Sequence, residues 1–302
     1  MGSMPFDIMM PFYGDFALFR EAVGSVRAQT DGEWRLVVID DVYPSREPGE
    51  WTAALGDPRI EVVRNDVNLG VAGNFRRSVD LARSEWMTIM GCDDVMLPDY
   101  VARMRALIVR FPEATYIQPG VDVIDGSGRS VLPLADRVKR WYQPTSAHAL
   151  TLSGEALATS IMRGNWTYFP SICWRRSALV EHPFHQDLEV ALDLQLQLEL
   201  VRDGATLVVD PEITFHYRRH SASVSSWRAD DGSRFAEEHL VLARAASWAS
   251  TRGWKRAARA GHWRLSSRLN ALSRIPSAAR ARDASGARGL LAHALGSARS
   301  AR

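Results

Sequence analysis

Two short, apolar, β-prone runs in the amino-terminal third of the chain each lead into a pair of aspartates. Residues 35–41 close on Asp40 and Asp41, and residues 86–92 run directly into Asp93 and Asp94. Similar runs at 6–12, 60–64 and 115–124 alternate with amphipathic stretches at 16–28, 49–55, 73–83 and 98–111. Parallel strands need a long crossover, usually a helix, so this alternation predicts a mostly parallel sheet flanked by helices. Ligands of open α/β sheets bind beyond the carboxyl ends of the strands, where both Asp pairs fall. An Asp pair also serves as a helix cap. The position of these two at strand ends favours chemistry.

Beyond Asp125 the periodicity weakens. A helix is predicted over 188–202, ending at Gly204, with β runs next at 205–209 and 213–217, and the chain becomes helical again from Ser233. The chain therefore divides into three regions, 5–125, 126–230 and 231–302. The net charge of +2 hides an asymmetry, because from Val241 onward thirteen Lys or Arg face one acid, Asp283. Arginines mixed with Trp248, Trp254 and Trp263 suit an interfacial helix on an anionic membrane. They suit equally a helical lid with its arginines in solvent. No nucleic-acid-binding module accompanies the charge, so no nucleic-acid partner is expected.

No run approaches the roughly eighteen apolar residues of a membrane span, and the amino end lacks a secretory pattern. The expectation is a cytoplasmic protein and, on the interfacial reading of its tail, one peripheral at the inner face of the membrane. Met1 to Met4 read as an expression remnant. Cys92 and Cys173 are read as free buried thiols, and no zinc-ligand spacing is present, so a metal would be held by carboxylates.

Several segments, in order, resemble family 2 glycosyltransferases. Ile8 to Tyr13 is similar to the family's first strand with its Pro-x-Tyr motif, and Ser25 to Thr30 to the Ser-Val-x-x-Gln-Thr that ends its first helix. Val37 to Asp41 resembles the second strand, and Asp57 to Ile60 and Asn68 to Gly70 resemble the segments beyond it. Gly91 to Asp94, closing at Pro98, resembles the metal-binding segment. Asp193 before Gly204 looks like the catalytic Asp, and Tyr217, Arg218 and His220 with Ser223 and Ser225 look like the closing Tyr-Arg-x-His segment. Each motif alone is weak, and their order and spacing carry the likeness.

The resemblance, which covers residues 6–225, implies a GT-A, Rossmann-like fold, to which the chain adds a carboxy-terminal helical extension. It further implies inverting, metal-dependent transfer of a sugar from a UDP, dTDP or GDP carrier to a hydroxyl of a glycan, lipid-linked or small-molecule acceptor. Pro11, Phe12, Tyr13 and Asp41 would bind the nucleobase, Asp93 the ribose, and Asp94 Mg2+ or Mn2+. Asn68 and Asn74 would shape the nucleotide-side loop. Arg218 and His220 would serve the diphosphate or the metal, or be merely structural. Asp193 would be the general base, and Trp166 and Tyr168 would face the acceptor or fill the core. The chain departs from the pattern at Val42 and Tyr43, where Gly-Ser is usual, at Gly91, usually Asp, and at Leu192, usually Glu. Those departures leave a second reading, a non-catalytic GT-A relative that binds nucleotide or glycan.

Overall fold

The computed structural model describes residues 5–219 and 233–264, and beyond these 267–269, 271–272, 275, 288, 290–291 and 293. Its strands are β1 (Phe6–Phe12), β2 (Trp34–Asp40), β3 (Ile60–Arg64), β4 (Trp86–Ile89), β5 (Val95–Met96), β6 (Tyr116–Ile124), β7 (Leu150–Leu152), β8 (Cys173–Arg175) and β9 (Leu207–Arg218). Among the described residues they form one sheet of nine strands, ordered β3-β2-β1-β4-β8-β6-β9-β5, with β7 on β9. The β3-β2-β1-β4 half is wholly parallel, and β6 runs parallel to β9. The short strands β5, β7 and β8 pair antiparallel.

The helices are α1 (Phe16–Arg27), α2 (Glu47–Ala54), α3 (Gly70–Leu81), α4 (Tyr100–Arg110), α5 (Leu134–Tyr142), α6 (Gly154–Arg163), α7 (Arg176–Glu181), α8 (Leu192–Arg202), α9 (Ser233–Thr251) and α10 (Lys255–Trp263). Helix α1 shows why they form where they do. Asp15 caps it by accepting from the Ala17 and Leu18 N–H groups, and Phe19, Ala22, Val23 and Val26 recur at helical spacing on the buried face.

Alternate side chains of the central strands enter opposite cores, as the period of two requires. On one face Ile8, Met10, Leu36 and Val38 pack with α1 and α4. On the other Met9, Val37 and Ile39 pack with α3, α6, α8, α9 and α10. Helix α8 belongs to the second core and is buried on nearly every side, Gln195 and Gln197 included.

Two β runs expected at 205–209 and 213–217 form the single strand β9, which continues through Pro211. Its register against β6 shifts between Gln118 and Val121. Gly120 sits at that irregularity, where a Cβ would come 2.6 Å from the Pro211 carbonyl oxygen. A proline that cannot donate to the ladder is accommodated at such a bulge.

The basic extension packs on the sheet and its helices through small residues. Ala245, Ala246 and Ala249 of α9 and Ala257, Ala258 and Gly261 of α10 are buried, and Trp248 and Trp254 pack half-buried against the same core. Trp263 is exposed. Among the described residues no helix is long and apolar enough to cross a membrane.

Candidate active site

The carboxyl ends of β1, β2 and β4 lie side by side, so Tyr13, the Asp40–Asp41 pair and the Gly91 to Asp94 turn are brought together by the parallel register. Tyr13 is exposed and stands edge-on to Tyr43, with ring centroids 5.7 Å apart. Phe12 is buried beneath them and packs on Tyr43 at 5.0 Å and on Phe19 at 4.4 Å. The exposed aromatic surface is therefore Tyr13 with Tyr43, and Phe12 supports it. Tyr43, which stands out in the sequence only as a departure, is part of that surface.

Asp40 and Asp41 are both buried and act differently. Asp40 accepts the Tyr43 N–H at 2.7 Å and pairs with Arg64, which also holds the Tyr43 carbonyl. Asp41 accepts from the Asn65 side chain and the Leu69 N–H, each at 2.8 Å, and from the Gly70 N–H at 3.0 Å. Helix α3 has no side-chain cap at Leu69, so Asp41 supplies a carboxylate to its amino-terminal end from another strand. Asn68 donates to the Asp41 carbonyl, and buried Asn74 links Asn65 to the Ile39 carbonyl. Asp41, Asn68 and Asn74 thus form one network. Between Asp41 and Tyr43, Val42 is held at φ 61°, in the left-handed region that a β-branched residue rarely adopts.

In the turn after β4, Asp94 is fully buried. Its Oδ1 accepts the Arg218 N–H at 2.8 Å, and its Oδ2 has no hydrogen-bond partner. Burial and the neighbouring Asp93 push its carboxyl well above the usual range, and Arg218 opposes the shift. Asp93 is less buried. A Cβ on Gly91 would fall 2.5 Å from Asp94 Oδ2 and 3.0 Å from Asp93 Oδ1, so the absence of a side chain there leaves space over both carboxylates. Among the described residues no group of three His, Cys, Asp or Glu gathers to hold a metal unaided. The donor set fits a hard cation that takes few protein oxygens and fills its remaining positions from water or phosphate. Cys92 is a free thiol, pushed up to about 12 by burial and then by Asp93, and Cys173 is also free.

Arg218 is 1% exposed. Its guanidinium donates to the carbonyls of Asp93 and Asp125 and pairs with Glu21 at 2.7 Å. It fastens the Asp93–Asp94 turn from below. Its neighbour Arg219 faces a cavity instead, because adjacent residues of extended chain point to opposite sides. His220, Ser223 and Ser225 lie outside the described residues.

A cavity of about 270 Å³ opens beside α8. Its wall includes Asp193, Asn165, Tyr168, Lys139, Arg219 and Tyr217. Asp193, in the first turn of α8, accepts from the Asn165 side-chain amide at 2.9 Å. Thr167 donates to Asn165 Oδ1 at 3.0 Å and receives from Gln197 at 2.9 Å, so the Asn165 amide is oriented with its N–H toward Asp193. Tyr168 donates to Asp136, a fully buried carboxylate paired with Arg219. Burial, and then Asp136, drive the Tyr168 phenol up out of its ordinary range. Lys139 lies 4.3 Å over the Tyr168 ring.

Trp166 does not reach the cavity. It is 1% exposed, sits in the core and donates to Ser160. Asn165, Thr167 and Tyr168 form the wall on either side of it. Sequence reasoning misses Asn165, Asp136, Lys139 and Arg219. Their signal is weak: polar side chains joined to the site only by hydrogen bonds and an ion pair between residues distant in the chain.

The model of the family described as glycosyl transferase family 2 matches residues 7–176. Succinoglycan biosynthesis protein ExoO of Rhizobium meliloti is 27% identical over 212 residues, 68% of this chain and 58% of that protein. A PGL/p-HBAD biosynthesis glycosyltransferase of Mycobacterium tuberculosis is 29% identical over 112 residues, 36% of this chain and 43% of that protein. The chain thus spans little more than half of the one relative and less than half of the other. A crystal structure of S. aureus TarS in complex with UDP-GlcNAc superposes with a TM-score of 0.64 at 15% identity, covering 97% of this chain and 92% of that chain. That likeness is one of fold. The matched span takes in strands β2 to β8 and helices α1 to α6, more than half of the chain, and the chain belongs to glycosyl transferase family 2.

Proposed function

We propose that the protein transfers a sugar from a nucleoside diphosphate carrier to an acceptor hydroxyl with inversion at the anomeric carbon. The observation that carries this reading is the Asp193 carboxylate, oriented by Asn165 and opening on a cavity. In this reading Asp193 takes the hydroxyl proton as the acceptor oxygen bonds to the anomeric carbon and the bond from that carbon to the diphosphate oxygen breaks. Direct displacement from the opposite face inverts the centre. Tyr13 and Tyr43 would stack the nucleobase, and Asp41, with one carboxylate lone pair left after its three hydrogen bonds, would accept a base N–H.

Asp94 and Asp93 would hold Mg2+ or Mn2+ together with the donor phosphates. When bound, that cation neutralises charge developing on the departing diphosphate. The name of one relative, a succinoglycan biosynthesis protein, supports a glycan acceptor, and a lipid-linked one is the alternative. Exposed Trp263 and the arginines of α10 suit an anionic membrane carrying such a lipid.

Calorimetric titration of UDP, dTDP and GDP with Mn2+ tests the donor side. One nucleotide should bind, and Asp94→Ala should abolish its metal-dependent binding; tight Mn2+-dependent binding by that variant would count against the assignment. Gly91 and Leu192 favour a second reading, a binding protein without catalysis. Asp193→Asn separates the two, because loss of transfer with donor binding intact excludes the second.

A further inference from the structure

Helix α8 begins without a cap of its own. Its N-cap residue is Ala191, which has no side-chain oxygen. The three N–H groups that precede the helix converge instead on a carboxylate from the carboxy-terminal extension. Glu237 Oε2 accepts from Glu189 at 3.1 Å, Val190 at 2.8 Å and Ala191 at 3.0 Å, and Oε1 lies 3.2 Å from the Glu189 nitrogen. Successive N–H groups turned to one side form an anion-binding nest, and the positive end of α8 adds to it. The occupant is covalently part of the chain, 46 residues beyond Ala191.

The placement of Glu237 is determined by packing. Glu237, Val241, Ala245 and Ala249 recur every four residues on one face of α9, and the last three are buried in the same core as the leucines of α8. That apolar stripe sets the rotation of α9 and so aims Glu237 at the loop. Two residues beyond Ala191 stands Asp193, and Glu189, Val190, Ala191 and Asp193 all line the same cavity.

We infer that Glu237 is a positioning residue for Asp193: it clasps the 189–191 loop and so holds the first turn of α8 where Asp193 faces the acceptor. The extension is then part of the catalytic machinery. This rests on the reading of Asp193 as the general base. Without the clasp the loop loses three charge-assisted hydrogen bonds, and a displacement of about 1 Å in a catalytic group costs on the order of a hundredfold in rate.

The test uses the full chain, with Glu237→Ala, Glu237→Gln and, on the exposed face of α9, Arg244→Ala as control. Hydrogen exchange of the 189–191 amides should quicken at least about tenfold in Glu237→Ala, because the bonds that protect them are gone. UDP affinity should stay unchanged, and release of UDP from UDP-GlcNAc by transfer of the sugar to water, which supplies the attacking hydroxyl, should fall about ten- to a hundredfold through kcat. Glu237→Gln keeps an oxygen that accepts all three N–H groups, and should restore most of both protection and turnover. Unchanged exchange in Glu237→Ala, or faster exchange with wild-type turnover, overturns the inference, as does an equal loss in Arg244→Ala. A wild-type protein that binds UDP but releases none from UDP-GlcNAc would instead sink the transferase reading for this donor, and the exchange arm would still decide the clasp.

Discussion

The Asn165 side-chain amide donates to Asp193 Oδ2 at 2.9 Å, tying the segment after α6 to the first turn of α8. The approach depends on the preceding residue. Gly164 lies under the Tyr142 ring, where a Cβ would meet a ring carbon at 2.7 Å. A base must present its lone pair to the hydroxyl, and the amide with its Thr167 and Gln197 relay restricts the carboxylate to one orientation.

Replacing Asn165 by Ala should therefore reduce turnover by about ten- to a hundredfold while nucleotide affinity is unchanged. Steady-state kinetics beside calorimetry checks this. An equal fall in nucleotide binding would place Asn165 on the donor side instead.

Gly91→Ala should disable cation-dependent binding although Gly91 donates nothing. Its new Cβ would stand 2.5 Å from Asp94 Oδ2, well inside contact distance, and occupy the space over both carboxylates. Titration of UDP with and without Mn2+ should show the metal-dependent part of the affinity lost and thermal stability lowered. Wild-type Mn2+ dependence would exclude this space as the cation's place.

At Val42 the backbone stands at φ 61°, which costs a residue with a Cβ about 1–2 kcal/mol and glycine almost nothing. Val42→Gly should raise stability by about 1 kcal/mol, read as a higher melting temperature. A lower one would mean that packing of the valine side chain outweighs the strain.

A pH dependence is expected from His293. It is 4% exposed, lies 2.9 Å from the Ser267 hydroxyl, and is brought down to about 4 by burial and then by Arg264 and Arg268. The unfolded imidazole keeps its proton up to about 6.5, so between these values the unfolded state binds more protons. Stability is therefore lost as pH falls from about 6.5 towards 4, by at most about 3 kcal/mol. Thermal melts across this window should flatten in His293→Gln, and an unchanged slope would assign the dependence to other groups.

The region 5–125 is legible in the sequence because local pattern and tertiary role agree there. Apolar runs become β1, β2 and β3 within a residue, and acids at strand ends come together because parallel register leaves them no alternative. The same reasoning places Asp193 on a helix, although its leucines at 192, 194, 196, 198 and 200 alternate as a strand's would. All five are buried, because α6 and α9 pack on α8 and its leucines join the core that these helices share with one face of the sheet.

The facing of neighbours and the partners of carboxylates lie beyond the sequence. Arg218 and Arg219 are adjacent arginines, and only the fold around the end of β9 decides that the first is buried against the Asp93 carbonyl and the second faces the cavity. Trp166 and Tyr168, two residues apart, likewise divide between the core and the cavity wall. Asp41 reads as a ligand for a nucleobase, yet its hydrogen bonds to Asn65, Leu69 and Gly70 exist only once β2 and the loop before α3 meet. The basic extension reads as an appendage by charge, and its alanine face with Glu237 joins it to α8. Local propensity and pattern are carried by neighbours in the chain. The setting of the Asp193 carboxylate depends on hydrogen bonds between residues 28 and 46 positions apart, which only folding brings within reach of one another.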